Sequence, residues 1–431
     1  MPHITFLTET FFPSHRAGTE IYVLNLAKNL INAGYKVSVI TPAIGEKNSS
    51  YLHEKIPVYT FSVPLKISAK EMNGITKLSG LEEYKTIIKK LNPDILHVHT
   101  FSRSINYEHL KIAKQNNIKT VFTPHLGGNF CVKGDFRFKD KQICNGKVEN
   151  IKCLSCFLYS QKKIEKNSEI IAFIINLLTK IPIVKKLIPA AYHIVKFKKQ
   201  NLNALRKYSD INIAISQWIK DVFLENNIQN VSLINQGINT DIFKSKKQTA
   251  NNNENINITF IGRMHYSKGI HLLLDAIYGL KQNTFILRII TSATKENSDY
   301  FAFIKQKIKK FKNVILKESI TQNEVSKILD ETDIFCLPSI SSEMSPLVIL
   351  EAFAKGIPVI GSTYPAIKDM VKHDYNGLLF ENNNYKDLQI QLERLQNDPD
   401  LIKKLSDNVV KPRSFFDVSK EHIDLYLKLL S

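Results

Sequence analysis

Long apolar runs are missing from this chain. Nowhere do the eighteen or so uncharged apolar residues needed to cross a bilayer follow one another. A basic leader with a long apolar core is missing too. Met1-Pro2-His3 passes straight into a strand-length run, so no signal peptide is expected and the protein is placed in the cytoplasm. There is no recognised nucleic-acid-binding motif, and the basic residues alternate with aliphatics rather than stacking aromatics, which sets nucleic acid aside as a partner. Acid is scarce in the first half: residues 1–240 hold 33 Lys/Arg against 17 Asp/Glu, whereas the remainder holds 26 against 23. Residues 152–199 alone carry ten Lys and two Glu. A net charge of +19 so distributed points the first half at an acidic partner, a membrane surface or a phosphorylated acceptor.

What is present is ordinary for a globular protein: 43% hydrophobic and 10% aromatic residues over 431 positions, enough for two domains with a core each. Strand and helix patterns alternate throughout. His3–Thr8 reads as a strand, Glu9–Ala17 as a loop, and Gly18-Thr19-Glu20 opens a helix whose Ile21, Leu24, Leu26, Ala27 and Leu30 favour one side. A glycine there, at Gly18, allows backbone to pass close to a ligand, or is a plain turn residue. Asp94–His99 and Lys119–Thr123 read as buried strands. In a parallel sheet ligands gather at carboxyl ends of strands, near which His97, His99 and His125 lie; His97 and His99 read as residues orienting loops.

Four of the five cysteines, Cys131, Cys144, Cys153 and Cys156, fall within 26 residues and close on a Cys-x-x-Cys. Two readings stand. They could bind a structural zinc, four sulfurs leaving no open position, or be reduced thiols in a loop; disulfides are not expected in a cytoplasmic protein. Cys336, inside the apolar strand Asp333–Leu337, is a small core residue. Between 157 and 200 the apolar clusters Ile170–Leu178, Ile181–Val184 and Leu187–Val195 are separated by Lys180, Lys185 and Lys186 and broken by Pro182 and Pro189. Such a segment suits the interface of an anionic membrane, or is a helical hairpin with a solvated basic side. Lys244–Asn255, rich in Lys and Asn without apolar periodicity, is the expected linker.

The second half opens with strand Ile256–Ile261 and then Gly262-Arg263-Met264-His265-Tyr266-Ser267-Lys268-Gly269, a glycine-edged loop carrying two cations suited to phosphate. Further on, Ser341-Ser342-Glu343-Met344-Ser345-Pro346 leads into a helix from Leu347 that stops near Gly356. Ser345 is the expected N-cap and Pro346 the first helical residue. The Leu347 and Val348 amides then lie in a first turn without intrahelical partners, a ready phosphate site. Glu343 and Glu351 flank that helix start. Either they hold hydroxyls of a sugar and a ribose joined to the phosphate, or Glu343 is solvated and Glu351 supports its helix.

Glu343 to Glu351 resembles the E-x7-E signature of the retaining glycosyltransferases of family 4. Ala352-Phe353-Ala354-Lys355-Gly356-Ile357-Pro358-Val359-Ile360 and Asp374-Tyr375-Asn376-Gly377-Leu378-Leu379 are similar to the family's following runs. The loop Gly262–Gly269 resembles its Gly-Arg-x-x-x-x-Lys-Gly, Thr123-Pro124-His125 its sugar-contacting histidine segment, and Asn235–Phe243 its interdomain motif. Ala17 departs from the family's Gly-Gly-x-Glu loop and leaves Gly18 alone in that role. A subset of the family resembles the cysteine stretch.

The resemblance implies an α/β GT-B fold, two Rossmann-like domains facing each other across a deep cleft. The expected division is an N-terminal acceptor domain over 1–243, with a Cys-rich insert over 126–160 and a basic amphipathic segment over 161–200. A linker over 244–255, a donor domain over 256–411 and a C-terminal helix over 412–431 that packs back on the first domain complete it. It also implies retaining hexosyl transfer from a UDP- or GDP-linked nucleotide-sugar to a hydroxyl of a glycan or lipid-linked acceptor, in surface polysaccharide or lipopolysaccharide assembly. In that scheme Arg263 and Lys268 hold the diphosphate with Ser345, Leu347 and Val348. Glu343 holds the transferred sugar, Glu351 the ribose, Gly18 the approach, and His125 the sugar and acceptor hydroxyl. No cofactor is required for catalysis. A GT-B epimerase and a non-catalytic membrane-surface binding protein are the alternatives.

Overall fold

The computed structural model describes residues 1–15, 17–161, 164–181, 189–244, 255–280, 284–292, 298–318 and 321–431. The chain divides into two compact units, Met1–Asn235 with Val418–Ser431, and Gln236–Asp417. Residues 245–254 of the expected linker, and Pro182, Lys185 and Lys186 of the basic segment, lie outside the described residues.

In the first unit the strands are β1 (His3–Thr8), β2 (Lys36–Ile44), β3 (Ser50–His53), β4 (Ile56–Val63), β5 (Ile95–His99), β6 (Lys119–Thr123), β7 (Arg137–Phe138), β8 (Gln142–Ile143), β9 (Ile211–Ala214) and β10 (Val231–Leu233). Eight of them form one sheet in the order β10-β9-β6-β5-β1-β2-β4-β3, parallel except where β3 meets β4; β7 and β8 pair separately. Every residue of β1 and β5 is buried, as expected of strands covered on both faces by helices. The sheet's order reverses between β5 and β1, the place where open α/β sheets leave a crevice at the carboxyl ends of strands. Helix Phe415–Leu430 starts earlier than the closing helix read from the sequence at Ser419, and from Val418 onward it belongs to this unit.

In the second unit the strands are β11 (Ile256–Arg263), β12 (Phe285–Ser292), β13 (Val314–Glu318), β14 (Ile334–Leu337), β15 (Val359–Ser362) and β16 (Gly377–Phe380). They form a wholly parallel sheet ordered β13-β12-β11-β14-β15-β16. Ile258, Phe260, Leu287, Ile289, Ile334 and Cys336 fill its core, so Cys336 is the buried small residue expected. Here the order reverses between β11 and β14. The loops leaving those two strands carry Arg263, Lys268 and Glu343.

Candidate functional site

The loop after β11 is locked to the loop after β14. Ile340 N donates to Ser267 O at 2.8 Å, and Gly269, at φ +70°, lies so close that a Cβ would sit 1.9 Å from Pro338 O. Only glycine meets both demands. Met264 is buried, and the Ser267 amide donates to His265 Nδ1 at 3.1 Å, which sets the short turn Tyr266–Lys268. The result is a contact across 75 residues of sequence: Lys268 Nζ donates to Glu343 Oε1 at 2.6 Å. Ser339 Oγ donates to the same oxygen at 2.6 Å. The Lys268 and Glu343 side chains are only 15% and 7% exposed. A desolvated ion pair holds when added hydrogen bonds satisfy its remaining lone pairs, the role Ser339 fills. Ser342 turns the chain just before Glu343 at φ +66°, a strained conformation for a residue with a side chain. Asn382 Nδ2 donates to Ile340 O at 3.3 Å, and Ser362 Oγ donates to Ser339 O, fixing the loop from behind.

Arg263, at the tip of β11, is exposed. Helix Leu347–Ala354 begins with Pro346 in the capping position and no side-chain cap, so the expected cap at Ser345 is displaced by one residue. The reason is the Pro346 backbone: ψ 106° is extended, so the helix can start only at Leu347. Ser345 is half-buried and its carbonyl accepts from Gln236 Nε2 at 3.4 Å. The Leu347 and Val348 amides do lie in the first turn, and among the described residues no acceptor is seated on them. Glu351, in the second turn, has no hydrogen-bond donor among the described residues, and desolvation by surrounding protein pushes its carboxyl up to about 7. The structure therefore brings Lys268 and Glu343 together, with Arg263 on the same loop and the helix start directly after Glu343.

In the first unit the corresponding corner is built from imidazoles. His97 and His99 point to one face of β5, two residues apart, with ring centroids 4.1 Å from each other. His97 is fully buried and bonds Tyr426 Oη at 2.6 Å and Thr123 Oγ1 at 2.7 Å. His99 Nδ1 and His125 Nε2 lie 3.0 Å apart, so one ring donates to the other. His99 Nε2 is buried with no partner among the described residues. The His125 amide donates to Thr100 Oγ1 at 2.6 Å, and Thr100 itself sits at φ +75°. Tyr22 packs edge-on to the His125 ring at 5.0 Å and bonds His422 Nε2 at 3.1 Å. His422 Nδ1 donates to Val418 O at 2.8 Å, so its Nε2 accepts the Tyr22 hydroxyl proton. Burial drives His97 and His99 well below the ordinary imidazole range, and burial, with the repulsion that a protonated His422 would add, brings His125 to about 3. All three are neutral at physiological pH.

Gly18 is the first residue of helix Gly18–Asn32, is exposed, and has nothing within 4 Å of where a Cβ would stand. The protein itself makes no demand for glycine there. Glu20, in the first turn, is buried and accepts from the Ala17 amide at 2.9 Å and from Thr10. Sequence reasoning missed Glu9, just past the end of β1, whose carboxylate accepts from Ser104 Oγ at 3.0 Å and from Ser102 Oγ, and whose burial raises it above the usual carboxylate range. It also missed Ser339, Asn382, Tyr22, His422 and Tyr426, which carry no motif. Only the position of Ser339 just past a buried strand hinted at a role.

The four cysteines line one small apolar cavity of about 20 Å³ with Phe130 and Phe138. Burial pushes the Cys131 and Cys156 thiols up and the Cys153 thiol to about 12. Among the described residues no group of three or more His, Cys, Asp or Glu stands where it could hold a metal ion. As placed, these side chains favour the second reading of their spacing, reduced thiols in a loop, and no step below is routed through a metal. Among the described residues no helix is long and apolar enough to cross a membrane.

Residues 16–142 match the family described as Glycosyltransferase Family 4, and residues 241–411 the one described as Glycosyl transferases group 1. An uncharacterized glycosyltransferase of Haemophilus influenzae is 31% identical over 36% of this chain and 43% of its own length. The amylovoran biosynthesis glycosyltransferase AmsK of Erwinia amylovora is 26% identical over 49% of this chain and 53% of its own. The chain thus matches about half the length of these curated relatives. Among solved structures, sucrose-phosphate synthase of Thermosynechococcus elongatus aligns over 100% of this chain and 99% of its own, with a TM-score of 0.69 and 16% identity. HepE of Anabaena, solved with UDP and glucose, aligns over 99% and 100%, with a TM-score of 0.63 and 12% identity. At such identity the structures speak for the fold alone, the GT-B pair of parallel α/β sheets. With the two family matches spanning most of its length, the chain belongs to the glycosyltransferases of the family 4, group 1 type.

Proposed function

We propose that this protein transfers a hexosyl group from a nucleotide-sugar to a hydroxyl of a glycan or lipid-linked acceptor, with retention of anomeric configuration. The observation that carries the reading is the desolvated Lys268–Glu343 pair, 2.6 Å apart at the order reversal of the second sheet and directly before a helix start. UDP and glucose in the HepE structure support a nucleotide-sugar donor, and the name of AmsK supports a role in polysaccharide assembly.

In this scheme the donor diphosphate draws Lys268 Nζ from Glu343. Arg263, Lys268 and the Leu347 and Val348 amides then face the charge that grows on the leaving diphosphate. Preset donors aimed at developing charge supply the largest catalytic contribution in most enzymes. Glu343, freed of its lysine, accepts hydroxyls of the transferred sugar. Glu351, which meets no donor among the described residues, accepts those of the ribose. His125 holds a sugar hydroxyl as a neutral imidazole, its Nε2 already engaged by His99. The leaving phosphate takes the acceptor proton as the new glycosidic bond forms on the face the nucleotide leaves.

The test is a screen of UDP- and GDP-hexoses for thermal stabilisation, followed by turnover with and without acceptor and assignment of the product anomer by NMR. Stabilisation by one donor and an acceptor-dependent product of unchanged anomeric configuration is expected. Conversion of the donor without any acceptor would make the protein an epimerase, and an inverted product would remove the retaining scheme.

A further inference from the structure

Helix Ser168–Leu178 is apolar on two opposite sides. One side, with Ala172 and Ile175, packs into a buried cluster with Leu154, Leu158, Ala191 and Val195. On the other side Ile170, Phe173, Ile174, Leu177 and Leu178 recur at i, i+3, i+4, i+7 and i+8, and each is between 40% and 63% exposed. Ile181 extends this stripe beyond the helix at 46% exposure. At the helix start the stripe runs into an open apolar groove of about 520 Å³ where Ile170 and Phe173 meet Phe138 and Ile151. A folded surface does not leave so many large aliphatics in register without something to cover them.

We infer that this stripe is a membrane-docking face that seats in the interface of an anionic bilayer. Charge selects the occupant. Exposed Lys166 and Lys180 flank the stripe at its two ends, and exposed Lys141 and half-buried Lys152 lie in the adjoining segments. Residues 152–199 hold ten Lys against two Glu, and of those two acids Glu169 is already paired with Lys139. A protein partner reading an apolar stripe needs no such excess of cations, whereas anionic headgroups beside acyl chains match both features at once. The helix lies along the surface rather than through it, since its eleven residues cannot span the hydrocarbon. This inference deepens the reading of a lipid-linked acceptor but is measured without turnover, so either can fail alone.

The experiment is flotation of the full chain with phosphatidylcholine vesicles, with and without phosphatidylglycerol, alongside light scattering of the protein alone. Binding only to the phosphatidylglycerol vesicles, weakening as salt rises, is expected. Phe173→Glu with Leu177→Glu should weaken it by at least about tenfold while circular dichroism stays unchanged, because both positions are half-exposed and touch no core. Lys166→Glu with Lys180→Glu should weaken it at low salt and flatten the salt dependence. Equal binding to both vesicle types, or a dimer that Phe173→Glu with Leu177→Glu dissociates while vesicles go unbound, would overturn the assignment.

Discussion

The two units present the same topological feature, an order reversal in a parallel sheet, and furnish it in opposite ways. In the second unit the corner is ionic and local. Lys268 and Glu343 sit on the loops leaving β11 and β14, neighbouring strands, and those loops are tied by Gly269 against Pro338. In the first unit the corner is neutral and assembled from afar. His97 and His99 on β5 and His125 after β6 are closed over by Tyr22 and by His422 and Tyr426 from the other end of the chain. In the proposed scheme, charge that meets a diphosphate is kept as a pair ready to be exchanged, whereas a surface that meets uncharged hydroxyls is kept free of charge by burial.

Removing the ionic corner should have the largest effect. Lys268→Ala or Glu343→Ala should lower hexosyl transfer by about 10²–10³-fold or more, because in the proposed scheme each removes a group that faces charge or hydroxyls in the transition state. Circular dichroism should stay near wild type. If both variants keep transfer within a few fold of wild type, the second unit's corner is structural and the contrast between the units collapses.

Acid should separate the units next. His97, His99, His109 and His125 in the first unit are all held neutral by burial, the last two near 3. Below about pH 6.5 the unfolded chain takes up protons that these native imidazoles refuse, so stability is whole above that pH and falls as pH drops toward the native values. Each contributes up to about 1.4 kcal/mol per pH unit of loss. In the second unit His271, held near 4, is the strongest such case. Hydrogen exchange between pH 7 and 5 should therefore show the first unit opening well before the second. Uniform loss across both units would contradict the reading of a neutral corner.

How much of this was legible in the sequence follows the same divide. The alternation of strands and helices, the loop Gly262–Gly269 and the turn before Leu347 could be read because each lies within a dozen residues and owes its shape to local rules: glycine at positive φ, proline at a helix start. Even there Ser345 was misassigned as the cap, since the one-residue shift is set by the ψ of Pro346. In the first unit His97, His99 and His125 could be placed near strand ends, but not the partners that close the corner. Nothing local links His97 to Tyr426, and a histidine between apolar residues looks the same whether it stacks on another ring or faces solvent. The cysteines differ again: their spacing left zinc and reduced thiols both open, and only the fold shows them gathered around an apolar cavity, with no group of three placed to share an ion among the described residues.

A smaller change tests whether the distant helix defines the neutral corner. Tyr426→Phe leaves the ring in place and removes only the hydroxyl that meets His97 Nδ1 at 2.6 Å. A buried nitrogen then lacks its partner, which costs about 1–3 kcal/mol. The melting temperature should fall while the nucleotide-sugar still raises it by nearly the same increment, since in the proposed scheme most of that increment comes from the second unit. A donor increment lost together with stability would mean that the two corners are energetically one.

The cysteine pocket gives the mildest and most local test. Cys153, raised to about 12 by burial and by the neighbouring Cys131 and Cys144, holds almost no thiolate near pH 8. The thiolate is the reactive form, so iodoacetamide should modify Cys153 at least about tenfold more slowly than a free cysteine at that pH. Heating just enough to open the first unit should restore ordinary reactivity, because the barrier is desolvation and not a bond. Zinc would also slow alkylation, but it would appear as one metal per chain by elemental analysis, and its chelation would speed the reaction without heat. Slow alkylation that yields to mild heat alone keeps the pocket as packed thiols, the apolar counterpart in the first unit of what Met264 does beneath the cationic loop of the second.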